Sequence, residues 1–148
     1  MIRPQDFKPI DKAFEESIKN FLSTAPFPSF LGLQLEEVKQ NYSRMRLPYR
    51  PELNQPAGII HGGATATLID TAVVGALVTQ YEPGKVPQRL VTIDLHVHYT
   101  GAGVEEDLVA HAAVRRAGRT VSFFEVDVIG DSSGKLIAHG ELSYMGLS

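Results

Sequence analysis

The segment from His61 to Gln80 constrains this chain more than any other. Its apolar residues fall on nearly every side of a helical wheel, and a helix apolar all round has to be buried. Such a helix needs something to wrap it, and the flanking sequence supplies strands. After it the period changes to two: Val91, Ile93, Leu95, Val97 and Tyr99 alternate with Thr92, Asp94, His96 and His98 across Leu90 to Tyr99. Leu108 to Arg116, Thr120 to Ile129 and Lys135 to Met145 read as three more strands, parted by turns at Ala117-Gly118 and Gly130-Asp131-Ser132-Ser133-Gly134. Before the helix, Leu33 to Gln40 and Tyr42 to Tyr49 read as a hairpin, and Pro48, Pro51 and Pro56 mark an irregular stretch. An amphipathic helix is expected from about Asp11 to Ser23, with Ala13, Phe14, Ile18, Phe21 and Leu22 on one side and Pro26 and Pro28 ending it. The expected class is α+β: an antiparallel sheet wrapped around a central buried helix. It forms a single domain over residues 1–148, with about 1–30 as an N-terminal helical extension.

Composition narrows the function. A net charge of −3 argues against a general binder of nucleic acid, so an anionic ligand must meet a local cluster or backbone amides. The absence of cysteine removes disulfides, thiolate zinc sites and cysteine nucleophiles, and suits a reducing compartment. Met1 to Lys8 lacks the apolar run of a secretory leader, and Ala64 to Val78 is too short to span a bilayer. A cytoplasmic protein without membrane or nucleic-acid partners is expected.

Asp70 is the only formally charged residue between His61 and Glu82. In an enclosed helix its carboxylate must be hydrogen-bonded, neutralised or useful. Burial also moves a carboxyl toward competence as a general base. The structural alternative is an aspartate tied to neighbours such as Thr67 and Thr71. His61-Gly62-Gly63 stands where the helix starts, and there unpaired amides and the positive end of the helix dipole converge. That place suits a phosphate or a developing oxyanion; the plainer alternative is a loop that needs positive φ. Gly62 and Asp70 are eight residues apart, about 12 Å of helical rise, too far to flank one carbonyl. Two antiparallel copies would solve this, each site using one subunit's helix start and the other's Asp70. A symmetric homodimer with shared sites follows.

The run Asn54-Gln55-Pro56-Ala57-Gly58-Ile59-Ile60-His61-Gly62-Gly63-Ala64-Thr65-Ala66-Thr67-Leu68-Ile69-Asp70 resembles the signature of the PaaI-type hotdog thioesterases, with an aspartate nine positions after the histidine. The likeness extends through Val91-Thr92-Ile93-Asp94 to Tyr99 and on to Ala117-Gly118-Arg119. The resemblance implies a hotdog fold and hydrolysis of acyl-CoA, either aromatic (phenylacetyl-type) or medium-chain, without metal or redox cofactor. By the same resemblance Gly62 N–H polarises the thioester carbonyl, Asp70 activates water or attacks, and Thr92 orients the water. His61 and Gly63 adjoin the substrate. The family asparagine stands six positions before the histidine, where this chain has Gln55, with Asn54 one residue earlier; either is a candidate to line the acyl pocket. A homotetramer built as a dimer of dimers is also implied. A thiol leaving group with a pKa of about 8.5 departs as thiolate, so one base and one oxyanion hole suffice.

Arg115, Arg116 and Arg119 form the densest basic cluster, around Gly118. In the family that turn lies near the nucleotide end of coenzyme A, and guanidinium suits phosphate; a solvated hairpin tip is the alternative. Gly130-Asp131-Ser132-Ser133-Gly134 matches G-x-S-x-G, but that motif needs a strand, a sharp turn and a helix, and here strands lie on both sides. Asp94, His96 and His98 share one strand face and read as an outer polar face rather than a zinc site. Two rival functions stand beside hydrolysis: an acyl-CoA hydratase on the same fold, and a non-catalytic acyl-CoA-binding module.

Overall fold

The computed structural model describes residues 1–147. A 3-10 turn at Pro4–Asp6 leads to α1 (Lys12–Thr24), capped by Asp11, whose carboxylate accepts from Phe14 N–H at 3.1 Å. Ile18 and Leu22 bury one face of α1, but Ala13 and Phe21 are exposed, so the fully buried stripe is narrower than the sequence suggests. Pro26 and Pro28 do end α1, yet they also open a further helix, α2 (Pro26–Leu31). Proline suits a first helical turn, where its missing N–H has no partner to lose.

Strands β1 (Gln34–Lys39) and β2 (Tyr42–Leu47) form the expected hairpin, followed by a 3-10 turn at Pro51–Leu53. The central helix α3 runs Gly62–Val78, and β3 (Arg89–Tyr99), β4 (Leu108–Arg116), β5 (Val121–Gly130) and β6 (Leu136–Leu147) complete the chain. All six strands join one antiparallel sheet in the order β1-β2-β4-β5-β6-β3, placing β3 at an edge. Leu68, Ile69, Ala72, Val73 and Ala76 of α3 are fully enclosed against Met45, Leu47, Ala110, Ala112 and Val126 of the sheet. The helix can approach β2 because residue 75 is glycine: a Cβ there would stand 2.8 Å from the Ser43 Cβ. Ser43 Oγ in turn donates to the Ala72 carbonyl and accepts from Ala76 N–H, pinning strand to helix.

The sheet does not enclose α3 on all sides. Thr67, Asp70, Thr71 and Val74, spaced three and four apart, are half-buried and form an open stripe along the helix. Asp70 is therefore not sealed in the core, contrary to the expectation from the sequence. The physical reason is that edge strand β3 covers this side of α3 only partly.

A second departure lies in β3. Strict alternation would put Thr92 on the face of Asp94, His96 and His98. A bulge between Thr92 and Asp94 leaves Ile93 without a cross-strand partner and shifts the phase. Thr92 then pairs with Tyr144, while Leu95 pairs with Leu142 and Tyr99 with Ala138, on the face that looks at α3. Asp94, His96 and His98 turn outward with Ser143, Glu141 and His139.

Candidate active site

Asp70 lies at the open stripe of α3, beside β3 and β6. Thr92 Oγ1 donates to its Oδ1 at 2.6 Å. Tyr144 Oη lies 2.9 Å from the Asp70 carbonyl oxygen and 3.2 Å from the same Oδ1. Burial pushes the Tyr144 phenol above its ordinary pKa, and the Asp70 charge adds to that rise against the opposing hydrogen bond from Thr92, so the hydroxyl keeps its proton. Both donors converge on Oδ1. Among the described residues Oδ2 has no hydrogen-bond partner, so one oxygen is anchored and the other is free. Tyr144 was missed in the sequence, although it stands on the inward alternation of β6 with Ala138, Gly140 and Leu142. A phenol at the end of a core-facing row is the signal that could have found it.

The start of α3 has a comparable division of labour. His61 is the N-cap: its Nδ1 accepts from Gly63 N–H at 2.8 Å, and the ring sits outside the helix. That bond engages the Gly63 amide and leaves Gly62 N–H without an acceptor among the described residues. Tyr99, also missed in the sequence, donates to the Gly62 carbonyl at 2.8 Å and ties the end of β3 to the helix start. A free amide at the positive end of a helix can receive developing negative charge.

Asn54 and Gln55 separate clearly. Gln55 Oε1 closes its own turn by accepting from Ala57 N–H at 2.6 Å. Asn54 Nδ2 donates to Tyr49 Oη at 3.0 Å, while its Oδ1 is buried with no partner among the described residues. An unmatched buried acceptor costs free energy unless something meets it, which makes Asn54 the better candidate of the two.

The arginine cluster is split by a second bulge, between Val114 and Arg116. Arg115 turns to Glu125, with Nη1 to Oε2 at 2.8 Å, and is not a free cation. Arg116 and Arg119 are exposed at the turn with no carboxylate in salt-bridge range among the described residues. Gly118 is needed by the turn itself: a Cβ there would fall 1.7 Å from the Val121 carbonyl oxygen, which no side chain tolerates. Gly130-Asp131-Ser132-Ser133-Gly134 links β5 to β6 as a hairpin connection, and no helix follows it. Asp94 accepts from Ser143 Oγ at 2.7 Å, and among the described residues no three His, Cys, Asp or Glu side chains stand together as a metal site. No helix among them is long and apolar enough to cross a membrane.

Comparison with known proteins agrees with this geometry. The family model described as the thioesterase superfamily matches residues 57–137, from the loop before α3 to the start of β6. Human acyl-coenzyme A thioesterase 13 is 31% identical over 133 residues, covering 87% of this chain and 91% of its own. The medium/long-chain acyl-CoA thioesterase YigI of Escherichia coli is 30% identical over 137 residues, covering 84% of this chain and 88% of its own. The Escherichia coli PaaI protein, from the phenylacetic acid degradation operon, superposes with a TM-score of 0.80 at 15% identity, covering 93% of this chain and 97% of its own, which speaks for the hotdog fold alone. With a matched region that spans both the free Gly62 amide and the anchored Asp70 carboxylate, this chain belongs to the thioesterase superfamily and is a thioester hydrolase.

Proposed function

We propose that the protein hydrolyses acyl-CoA thioesters to a free acid and coenzyme A, in a homodimer whose two sites are each built from both subunits. The observation that carries this reading is the Asp70 carboxylate with one oxygen held by Thr92 and Tyr144 and the other unpartnered. In the reaction, Asp70 Oδ2 takes a proton from water as the water oxygen bonds to the thioester carbonyl carbon. The carbonyl oxygen gains the negative charge and is met by a Gly62 N–H. Collapse breaks the carbon–sulfur bond, and the departing thiolate takes the proton back from Asp70. Direct attack by Oδ2 would give an acyl anhydride and the same final products. Asn54 would meet the acyl side, and Arg116 and Arg119 the phosphates of coenzyme A. Acyl-CoA is the substrate class in the names of the human and Escherichia coli relatives, and the second of these favours a fatty acyl group over a phenylacetyl one.

Two features support a shared site. The Gly62 amide and the Asp70 carboxylate are about 12 Å apart along one helix. Both lie against β3, Asp70 through Thr92 and Gly62 through Tyr99. This edge strand is eleven residues long and exposes Val91, Ile93, Leu95 and Tyr99 by 37 to 53%. A long apolar edge invites pairing with another strand. Antiparallel pairing of two β3 strands about a two-fold axis between Leu95 and His96 sets Thr92 opposite the partner's Tyr99. Asp70 of one subunit then approaches the helix start of the other.

The test is Asp70→Asn against a panel of acyl-CoA thioesters, read by free-thiol release. We expect kcat to fall about a hundredfold or more with the fold intact, the range for loss of a general base. Turnover within a few fold of wild type would overturn the assignment.

A further inference from the structure

We infer that the acyl group is a linear chain lying in an apolar cavity between α1, α3 and the 83–90 segment, with α1 setting the chain length; this rests on the thioesterase reading above. The cavity has a volume of about 740 Å³, within the range of about 300–1,000 Å³ for small-molecule sites. It begins at the candidate site, because Tyr144, whose hydroxyl touches Asp70, is one of its walls, and Thr71 is another. From there it follows α3 past Val74 to Val78, about 10 Å of helical rise. Phe14, Ile18 and Phe21 of α1 close the opposite side, with Leu90 beneath.

Chemistry and shape both select the occupant. Arg89 is the only charged residue on the lining among the described residues, so the wall is mainly apolar, and each methylene buried there adds about 0.8 kcal/mol in transfer free energy. A phenyl ring beside Asp70 would fill the first turn and leave the rest of the apolar wall in water. A flexible chain covers all of it. α1 lies outside residues 57–137, so the wall it supplies is not part of the segment that the family model matches.

Ser17 supplies the test. It is exposed on α1 and lines the cavity, so Ser17→Trp narrows the cavity from the α1 side without disturbing the core. In wild type we expect kcat/KM to rise from butanoyl-CoA to dodecanoyl-CoA and to exceed that for phenylacetyl-CoA. In Ser17→Trp the dodecanoyl-to-butanoyl ratio should fall at least about tenfold, the loss of two or more buried methylenes. Calorimetric binding of dodecanoate should weaken by a similar factor. Phe21→Ala, at a position 61% exposed, is the second variant and should lower the same ratio by about threefold or more. If dodecanoate binds, Ser17→Trp weakens it and no acyl-CoA is hydrolysed, the cavity assignment stands and the thioesterase reading falls. If acyl-CoA is hydrolysed but neither variant moves the ratio, or phenylacetyl-CoA is preferred, the cavity inference falls alone. Neither binding nor turnover would overturn both.

Discussion

At the scale of single residues, the site depends on how few groups Asp70 meets. Its Oδ1 takes Thr92 and Tyr144, and its Oδ2 is left without a partner among the described residues. Tyr144 is a positioning residue: its hydroxyl touches Asp70, and its ring forms part of the acyl cavity wall. Tyr144→Phe keeps the ring and removes the hydroxyl, so the two roles separate. A hydrogen bond to a charged group contributes about 1.5–3 kcal/mol. We expect kcat to fall about tenfold to a hundredfold, with KM for butanoyl-CoA and the chain-length ratio unchanged. A shifted KM with normal kcat would instead make Tyr144 a piece of the pocket wall and nothing more.

At the scale of elements, turns and bulges decide where side chains point. The bulge at Ile93 brings Thr92 to Asp70, and the bulge at Arg115 gives that arginine to Glu125. The β5–β6 connection is held from outside itself by Glu106, which is buried. Its carboxylate accepts from Ser132 N–H and Oγ, both at 3.1 Å, and from Ser133 N–H and Oγ, both at 2.9 Å. Burial alone would raise its pKa, but the hydrogen bonds from Ser133 and Ser132 together outweigh it and hold the carboxyl below its ordinary 4.5. A depressed carboxylate adds stability above its unfolded pKa and loses it as pH falls through the folded value. Glu106→Gln should therefore lower unfolding free energy by about 1–3 kcal/mol at neutral pH, because an amide NH2 confronts a cluster of donors. The gap between variant and wild type should close at acid pH, as pH falls through the depressed folded value and wild type also loses the charge. Urea unfolding at the two pH values checks it; a gap constant with pH would show that the charge is not what stabilises the turn.

At the scale of the whole molecule, the proposed site needs a second chain. The edge strand of one chain is apolar, and its two candidate catalytic groups point to different sites. Mixing subunits tests this directly. Asp70→Asn subunits are combined with Gly62→Pro subunits, which lack the proposed oxyanion N–H. Proline is tolerated at the first helical position. The added Cβ would lie 3.2 Å from the Tyr99 ring, which is 53% exposed and has room to turn. Each parent should be nearly inactive. A mixed dimer holds one site with both defects and one with neither, and should regain up to about half of the wild-type activity per dimer. Verified mixed dimers as inactive as the parents would return both groups to a single chain.

The class of fold was legible in the sequence because period is a local property. An apolar helix from His61 and strands on either side can be read from residue spacing alone, and they leave one economical packing. The His61-Gly62-Gly63 start and Asp70 could be picked out as candidates for the same reason: a helix N-terminus and a lone carboxylate announce themselves in the chain. What surrounds Asp70 was not. Whether α3 is wrapped completely depends on strand order, and only the tertiary structure puts β3 at the edge and leaves a stripe open. Thr92 reaches Asp70 through a bulge, a shift of phase that alternation cannot show. Tyr144 meets it from 74 residues away, and the acyl cavity exists only where α1 folds across α3. Residue types and spacing are determined by the sequence along one dimension; which faces meet is decided by long-range packing.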